Sequence, residues 1–390
     1  MFKLWKNHSL KTSQDGFATK VLQMKIPLAS PAFDDEMKNA AIDALSGEPF
    51  VLGESVFRFE EEFAKYCGVH YAVSTSSGTC ALHLSLIALG IKSGNRVITT
   101  PASFIATANA ALHVNAVPVF ADIDIRTYNV DPVLLKNKMT EKTKVIVPVH
   151  LYGYPADMNS ISEISRERRV DVVEDACQAH GAEYYGRKAG SIGDVGCFSF
   201  YSTKNMTVCG DGGMIVTDDE KIAKIVAKLR DCGRISHYEH DAVGFTSRLN
   251  TVNAAIGRVQ LKRLEEWNER RRTVAKLYDS LLSDLDDIVL PPNGESEVKP
   301  VYHLYVIRTH FRDALKTWLE QNGVQCGIHY PFPIHLQPIY RKLFGYNVGD
   351  FPKSELLCKT ALSLPMFPGL EKQEIDYVCE KIHEFFDQRS

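Results

Sequence analysis

The sequence predicts an α/β protein: a large, mostly parallel sheet covered by helices, followed by a smaller C-terminal α+β unit. Three observations predict it. Over about 200 residues, short apolar runs alternate with segments of helical period, the pattern of strand–helix–strand units. Several of these runs end in small polar or charged residues, at the strand ends where α/β sheets place their ligand sites. Near Asn250 the alternation stops, and a long helical stretch leads into short elements of a different order.

Each element has its reason in the chain. Met1 to about Lys25 is polar and aperiodic and reads as an extension, 1–25. The expected strands are Tyr71–Ser74, Arg96–Thr100, Val117–Ala121, Lys144–Val149, Asp171–Glu174, Gly196–Tyr201 and Met214–Thr217, each apolar and β-branched or aromatic. Helices Glu54–Tyr66, Cys80–Leu89 and Ile105–His113 fall between them, and Leu151–Pro155 reads as a loop at a strand end. From Asn250 to about Leu285, apolar residues such as Val274, Leu277, Tyr278 and Leu281 recur at helical spacing, so this helix is expected to bridge two units. Pro291-Pro292-Asn293-Gly294 breaks the pattern. Val301–Arg308 and Val324–Tyr330 read as strands, Asp313–Asn322 as a helix stopped by Gly323, and Lys372–Phe386 as a closing amphipathic helix. The expected division is 26–260 for the large unit and 261–390 for the small one.

Composition excludes several classes. The 390 residues are 45% hydrophobic and 24% charged, with ample material for a core. A formal net charge of −3 gives no support for a nucleic-acid or anionic-membrane partner. Nine scattered cysteines without a C-x-x-C pair suit a reducing cytoplasm better than a disulfide framework or a zinc ribbon. The N-terminal segment lacks an apolar signal region, and no run is long and apolar enough for a membrane helix.

Three pieces carry chemistry. Lys204 follows the run Cys197-Phe198-Ser199-Phe200-Tyr201 and precedes a turn at Gly210-Asp211-Gly212-Gly213. A lysine in a partly dry site loses its proton readily, which suits a Schiff-base amine; the plainer reading is a surface lysine. Ser77, Gly78 and Thr79 open an apolar helix whose free amides make a phosphate seat, although an ordinary N-cap has the same composition. Val170-Asp171-Val172-Val173-Glu174 delivers Asp175 at a strand end, where a carboxylate can pair with a pyridinium nitrogen or simply cap a helix. Together, in this order, the three fit pyridoxal 5'-phosphate.

These residues stand in a longer series: Phe59-Glu60-Glu61-Glu62-Phe63-Ala64, Ser76-Ser77-Gly78-Thr79, Pro101-Ala102-Ser103-Phe104, Pro148-Val149-His150-Leu151-Tyr152-Gly153, Glu174-Asp175-Ala176-Cys177-Gln178-Ala179-His180-Gly181, Phe198-Ser199-Phe200 through Lys204-Asn205, and Leu362-Ser363-Leu364-Pro365. The series resembles the DegT/DnrJ-type nucleotide-sugar aminotransferases, from Pro27 to the last helix. The resemblance implies the fold type I architecture of pyridoxal-phosphate transferases. It implies that Lys204 carries the cofactor, Asp175 meets its ring nitrogen, Gln178 lies near its phenolic oxygen, Ser77, Gly78, Thr79 and Ser199 contact its phosphate, and Phe104 stacks on its ring. Family members often have an asparagine two residues before Arg248 that reaches the neighbouring subunit's cofactor phosphate; this chain has Thr246 there.

The resemblance further implies transfer of an amino group from glutamate or glutamine to a nucleotide-linked keto sugar, best matched by a 4-keto-6-deoxyhexose, in amino-sugar or surface-polysaccharide biosynthesis. It also implies a homodimer with a shared active site. Some members carry histidine at the lysine position and dehydrate sugars; Lys204 argues against that branch, but some lysine-bearing relatives also perform eliminations, so a pyridoxal-phosphate-dependent sugar dehydratase stands as the alternative. Two rivals stand beside this reading. Asp122-Ile123-Asp124 resembles the D-x-D site of a glycosyltransferase. A non-catalytic cofactor-binding regulator is the other. His329 and Tyr330, in a segment that the family places near its active site, and Arg248 are candidate substrate contacts; a structural loop with two prolines is the alternative for the first two and for His335. His237 and His240 have H-x-x-H spacing without further ligands, so they read as loop histidines, and no metal is expected. Arg187 and Lys188 read as a solvated hairpin turn rather than substrate contacts.

Overall fold

The computed structural model describes residues 24–294 and 297–389; nearly all of the expected 1–25 extension lies outside them. Among the described residues the elements run, in order, α1 (Asp35–Gly47), α2 (Glu54–Cys67), β1 (Tyr71–Thr75), α3 (Gly78–Ala88), β2 (Arg96–Thr99), α4 (Ala106–His113) and β3 (Val117–Phe120). It continues through α5 (Pro132–Lys138), β4 (Thr143–Ile146), α6 (Met158–Arg168), β5 (Asp171–Asp175), β6 (Glu183–Tyr184), β7 (Arg187–Lys188), β8 (Val195–Ser199), β9 (Gly213–Thr217) and α7 (Glu220–Arg230). The 32-residue α8 (Thr251–Leu282) follows, then β10 (Val298–Lys299), β11 (Tyr305–Arg308), α9 (Arg312–Gln321), α10 (Pro338–Phe344), α11 (Pro352–Thr360), β12 (Ala361–Leu364) and α12 (Lys372–Asp387).

Among the described residues, seven strands form the large sheet in the order β1-β9-β8-β5-β4-β2-β3. β9 is antiparallel to both neighbours, and the remaining neighbour pairs are parallel. Helices bury both faces, so the strands are apolar runs without alternation. α3 is apolar on all sides because it packs in the middle of the molecule; Ala81, Leu82, Leu84 and Leu86 are buried. On the amphipathic helices the buried stripe is spaced three and four apart, as in Val56, Phe59, Phe63 and Cys67 of α2. Asp131, Asp157 and Asp219 each accept backbone amides at the starts of α5, α6 and α7, which defines those starts.

A second core gathers Tyr278, Tyr305, Leu315, Leu319, Leu362, Ile375, Val378 and Ile382 around the antiparallel pair β11–β12. α8 joins the two cores: Leu261 and Leu264 pack with the large one, Val274, Tyr278 and Leu282 with the second. The fold is therefore α/β with a large, mostly parallel sheet and a smaller sheet region.

Several expected elements are shorter or absent. Residues 324–330 are not a strand; Val324 and Gly327 each make one isolated bridge, to Ile26 and Ser363. The run Val301–Arg308 is strand only from Tyr305, and the strand expected to reach Val149 stops at Ile146, ahead of Pro148, which has no N–H to donate. The strand expected to end at Tyr201 ends at Ser199, so Lys204 sits in a turn beyond it, its amide bonded to the Tyr201 carbonyl at 2.9 Å. No helix among the described residues is long and apolar enough to cross a membrane.

Candidate active site

A cavity of about 600 Å³ opens where the C-terminal ends of β1, β5 and β8 meet the segments before α4 and after β10. Its walls include Ser77, Gly78, Thr79, Phe104, Asp175, Gln178, Ser199 and Lys204, so the chain brings every expected cofactor residue to one place. His329 and Tyr330 line it too.

The start of α3 forms one wall. Ser77 caps the helix, its Oγ accepting the Cys80 amide at 3.1 Å, and the amides of Gly78 and Thr79 precede that of Ala81, the first to donate to a carbonyl of the helix, Ser77 at 2.9 Å. A Cβ at Gly78 would lie 2.7 Å from Ser199 Cβ and 2.8 Å from Cys177 Sγ, so only glycine lets the helix start seat against β8. Such a cradle of amides and hydroxyls at a helix dipole suits a phosphate.

β5 places Asp175 at the cavity floor, 5% exposed. Thr107 of α4 donates to its Oδ2 at 2.7 Å, Ser103 and Thr107 share a 2.8 Å bond, and the Cys177 amide reaches Oδ1 at 3.3 Å. A fixed, acceptor-only carboxylate in a low-dielectric wall suits a protonated ring nitrogen. Gln178 is held at both ends: its Oε1 accepts the Tyr152 amide at 2.8 Å and its Nε2 donates to the Tyr330 hydroxyl at 3.0 Å.

Lys204 faces these groups. Burial lowers its pKa, against a smaller upward pull from Cys177 and Asp175. A neutral amine is the form that adds to a carbonyl. Burial, with a smaller part from Lys204, also holds His329 neutral, its pKa near 4, and its Nδ1 bonds Ser363 Oγ at 2.8 Å. Burial, then Asp175 and Cys177, raises the Tyr330 phenol, so it stays protonated. Phe104 is 53% exposed at the mouth, its ring centroid 6.0 Å from that of Tyr330. The cavity thus gathers a helix N-terminus with free amides, a buried carboxylate, an amine and an aromatic face, the set of groups that would suit a flat, phosphorylated aromatic cofactor.

Other expected residues lie elsewhere. Arg248 is not in the cavity wall; it pairs with Asp231 at 2.5 Å, and Thr246 contacts Cys232 Sγ at 3.4 Å. The D-x-D acids are structural. Asp122 accepts the Lys353 and Ser354 amides and the Ser354 hydroxyl at 2.5–2.9 Å, and Asp124 pairs with Arg126. His335 is buried against Glu355, and His240 bonds the Cys232 carbonyl from an exposed loop. Lys188 of the β6–β7 hairpin pairs with Glu183 and Glu265, while Arg187 bonds the Ser191 carbonyl. Among the described residues, no three His, Cys, Asp or Glu side chains are placed to hold a metal. Thr107, Tyr201, Cys177 and His303 also line the cavity; only their position next to motif residues could have pointed to the first three, and no local signal marks His303.

Residues 31–383 match the sequence profile of the DegT/DnrJ/EryC1/StrS aminotransferase family. The chain is 40% identical over 352 residues to a pleiotropic regulatory protein of Geobacillus stearothermophilus, covering 90% of this chain and 94% of the relative. It is 40% identical over 349 residues to the UDP-N-acetyl-3-dehydro-α-D-glucosamine 3-aminotransferase of Acidithiobacillus ferrooxidans, covering 89% and 93%. The crystal structure of DesV from S. venezuelae superposes with a TM-score of 0.88 at 38% identity, covering 90% and 94%.

Proposed function

This chain belongs to the DegT/DnrJ/EryC1/StrS aminotransferase family and is a pyridoxal-phosphate-dependent aminotransferase; on that premise we propose that it aminates a keto carbon of a nucleotide-linked sugar, with glutamate or glutamine as the nitrogen source. The observation that carries the reading is the placement of the Lys204 amine, the Asp175 carboxylate and the α3 amides around one cavity. The cavity's size fits a sugar beside a pyridine ring.

When bound, pyridoxal phosphate supplies an electron sink conjugated to the reacting carbon. In this proposal Lys204 Nζ anchors the cofactor. As a free amine beside the reacting carbons, Lys204 Nζ would serve as the group that takes the donor's α-proton and delivers a proton to the sugar carbon that gains nitrogen. Asp175, oriented by Thr107, holds the proton on the ring nitrogen. Ser77, Gly78, Thr79 and Ser199 hold the phosphate, and Gln178, braced by Tyr152 and Tyr330, approaches the ring oxygen. Phe104 and Tyr330, at the mouth and wall of the cavity, would cover the ring and limit water, and His329 would contact the sugar. Arg248 lies away from this cavity and is proposed for the site of a second copy.

The sugar is a 4-keto-6-deoxyhexose by the family pattern, and the 3-dehydro substrate in the name of the A. ferrooxidans relative makes C3 the alternative position. The active form is a homodimer acting in the cytoplasm. The test adds pyridoxal phosphate to purified protein, traps with borohydride and maps the labelled peptide. It then follows ¹⁵N from glutamate or glutamine into dTDP- and UDP-linked 3-keto and 4-keto sugars. A visible band trapped on Lys204, with label in the sugar, supports the proposal. Label that never enters a sugar overturns the substrate class, and release of water without amination would make the protein a dehydratase.

A further inference from the structure

Behind Lys204 lies a polar network that the mechanism above does not use. Its orientation can be read from two backbone carbonyls. Asn268 Nδ2 donates to the His180 carbonyl at 2.8 Å, and a carbonyl can only accept. Asn268 Oδ1 therefore faces Asn205, whose Nδ2 donates to it at 3.0 Å and to the Val301 carbonyl at 2.9 Å. Asn205 Oδ1 is then the atom 3.2 Å from His303 Nδ1, so this ring nitrogen carries the hydrogen. In a neutral imidazole the other nitrogen, Nε2, is left with a bare lone pair.

His303 stays neutral for reasons visible around it. It is 7% exposed. Burial, and then the positive charges of Lys204 and Arg271 with His329 and His180, hold its pKa well below the usual imidazole range. Arg271, itself buried, donates to the carbonyls of Tyr302, His303 and Met366 at 3.1–3.4 Å, and so clamps the backbone of His303 against α8. Among the described residues no carboxylate pairs with this guanidinium at ion-pair distance. His303 and Met366 both line the cavity that holds Lys204.

We propose that His303 is a positioning residue of the amine chemistry: Asn205 pins its proton on Nδ1, and its bare Nε2 serves the cavity as a permanent hydrogen-bond acceptor for the N–H of a primary amine, that of Lys204 once released. An acceptor at this point turns the amine's lone pair toward the reacting carbon and is available at every working pH, unlike a titrating imidazole. A charge-free acceptor also adds no pull toward the ammonium, which an anion would favour. The inference rests on the aminotransferase reading only in naming Lys204 as the amine; the tautomer follows from the network alone.

Long-range ¹H–¹⁵N NMR of protein labelled in histidine tests the tautomer without any substitution. His303 is expected to show a protonated Nδ1 and an unprotonated Nε2 that do not move between about pH 6 and 9. An Nε2–H tautomer, or titration in that range, would overturn the inference. The second measurement is the rate at which cofactor-free protein captures pyridoxal phosphate, read as growth of the visible band. His303→Phe keeps the ring and loses the acceptor. It is expected to slow capture and kcat about tenfold with little change in KM for the sugar, and His303→Gln to recover part of both. Capture by His303→Phe at the wild-type rate would sink the proposal. A wild-type protein that forms no visible band would instead sink the function proposed above while leaving the tautomer to the NMR result.

Discussion

At the residue scale, burial shifts Lys204, His303, His329 and Tyr330 of the site toward their uncharged forms. Lys204 shows the cost. Its ordinary pKa is 10.5 and burial lowers it, so between the folded value and 10.5 the unfolded chain holds a proton that the folded chain does not. Stability from this residue therefore rises with pH through that window and falls as pH drops toward the folded value. Lys204→Met is expected to abolish amino transfer, by a factor on the order of 10³ or more, while raising the melting temperature of the cofactor-free protein at neutral pH and flattening the slope toward pH 10. Calorimetry against pH checks it, and a lower melting temperature would contradict it. Gly78 is the steric counterpart. Gly78→Ala drives a methyl to 2.7 Å from Ser199 Cβ and is expected to cost about 1–3 kcal/mol, and to weaken pyridoxal phosphate binding about tenfold or more, measured by fluorescence titration.

At the element scale, the strand end that presents Asp175 is fixed by the residue before it. Glu174 is fully buried and accepts His150 Nε2 at 2.8 Å and the amides of Gly190, Ile192 and Gly193 at 2.6–2.8 Å. The Ala156 amide donates to His150 Nδ1 at 3.0 Å, so His150 gives its only N–H to Glu174. Burial pushes the Glu174 carboxyl up, but His150 and the amides of Gly193 and Gly190 outweigh it and hold the pKa below the ordinary 4.5. The stability it contributes is complete above that value and is lost as pH falls through the folded value. Glu174→Gln puts an amide where four donors converge and is expected to cost about 3–5 kcal/mol, read by urea unfolding at pH 7. The loss should shrink in strong acid. Asp122 plays a similar part far from the chemistry, holding the first turn of α11 from the end of β3. Asp122→Ala is expected to cost about 1–2 kcal/mol of stability and to leave amino transfer insensitive to EDTA. Inhibition by EDTA restored by a divalent cation would revive the glycosyltransferase reading.

At the scale of the whole molecule, Phe50 and Phe57 are 66% and 52% exposed on the approach to α2 and within it, and Val51 is exposed beside them. Apolar surface of this kind is what a subunit interface covers. The proposed homodimer predicts a sedimenting mass of twice the 43.7 kDa chain, and a shift toward monomer with loss of amino transfer in Phe57→Glu. A monomeric wild type that is fully active would exclude the shared site. The division into units near residue 260 belongs to this scale too. α8 runs through that point unbroken, with one end in each core, a continuous strut between them.

What the sequence determined by itself is what local chemistry specifies. Period and composition gave α2, α3, β5 and α12 nearly to the residue, because a buried face imposes its own repeat. The order of Ser77-Gly78-Thr79, Asp175 and Lys204 implied a pyridoxal-phosphate site, because each residue type suits one part of that cofactor. Tertiary structure decided what depends on partners distant in the chain. The direction of β9 is set by its neighbours β1 and β8, and residues 324–330 fail as a strand because only single bridges are open to them. Asp122 looks functional in a line of sequence, but its carboxylate is taken by the Lys353 and Ser354 amides and the Ser354 hydroxyl, and one arm of Arg248 is turned to Asp231, away from this cavity. His303 enters the site only in three dimensions: its proton is placed by Asn205, and Asn205 by carbonyls at Val301 and, through Asn268, at His180. A side chain's protonation is set by what surrounds it in space, and a sequence lists only what precedes and follows it.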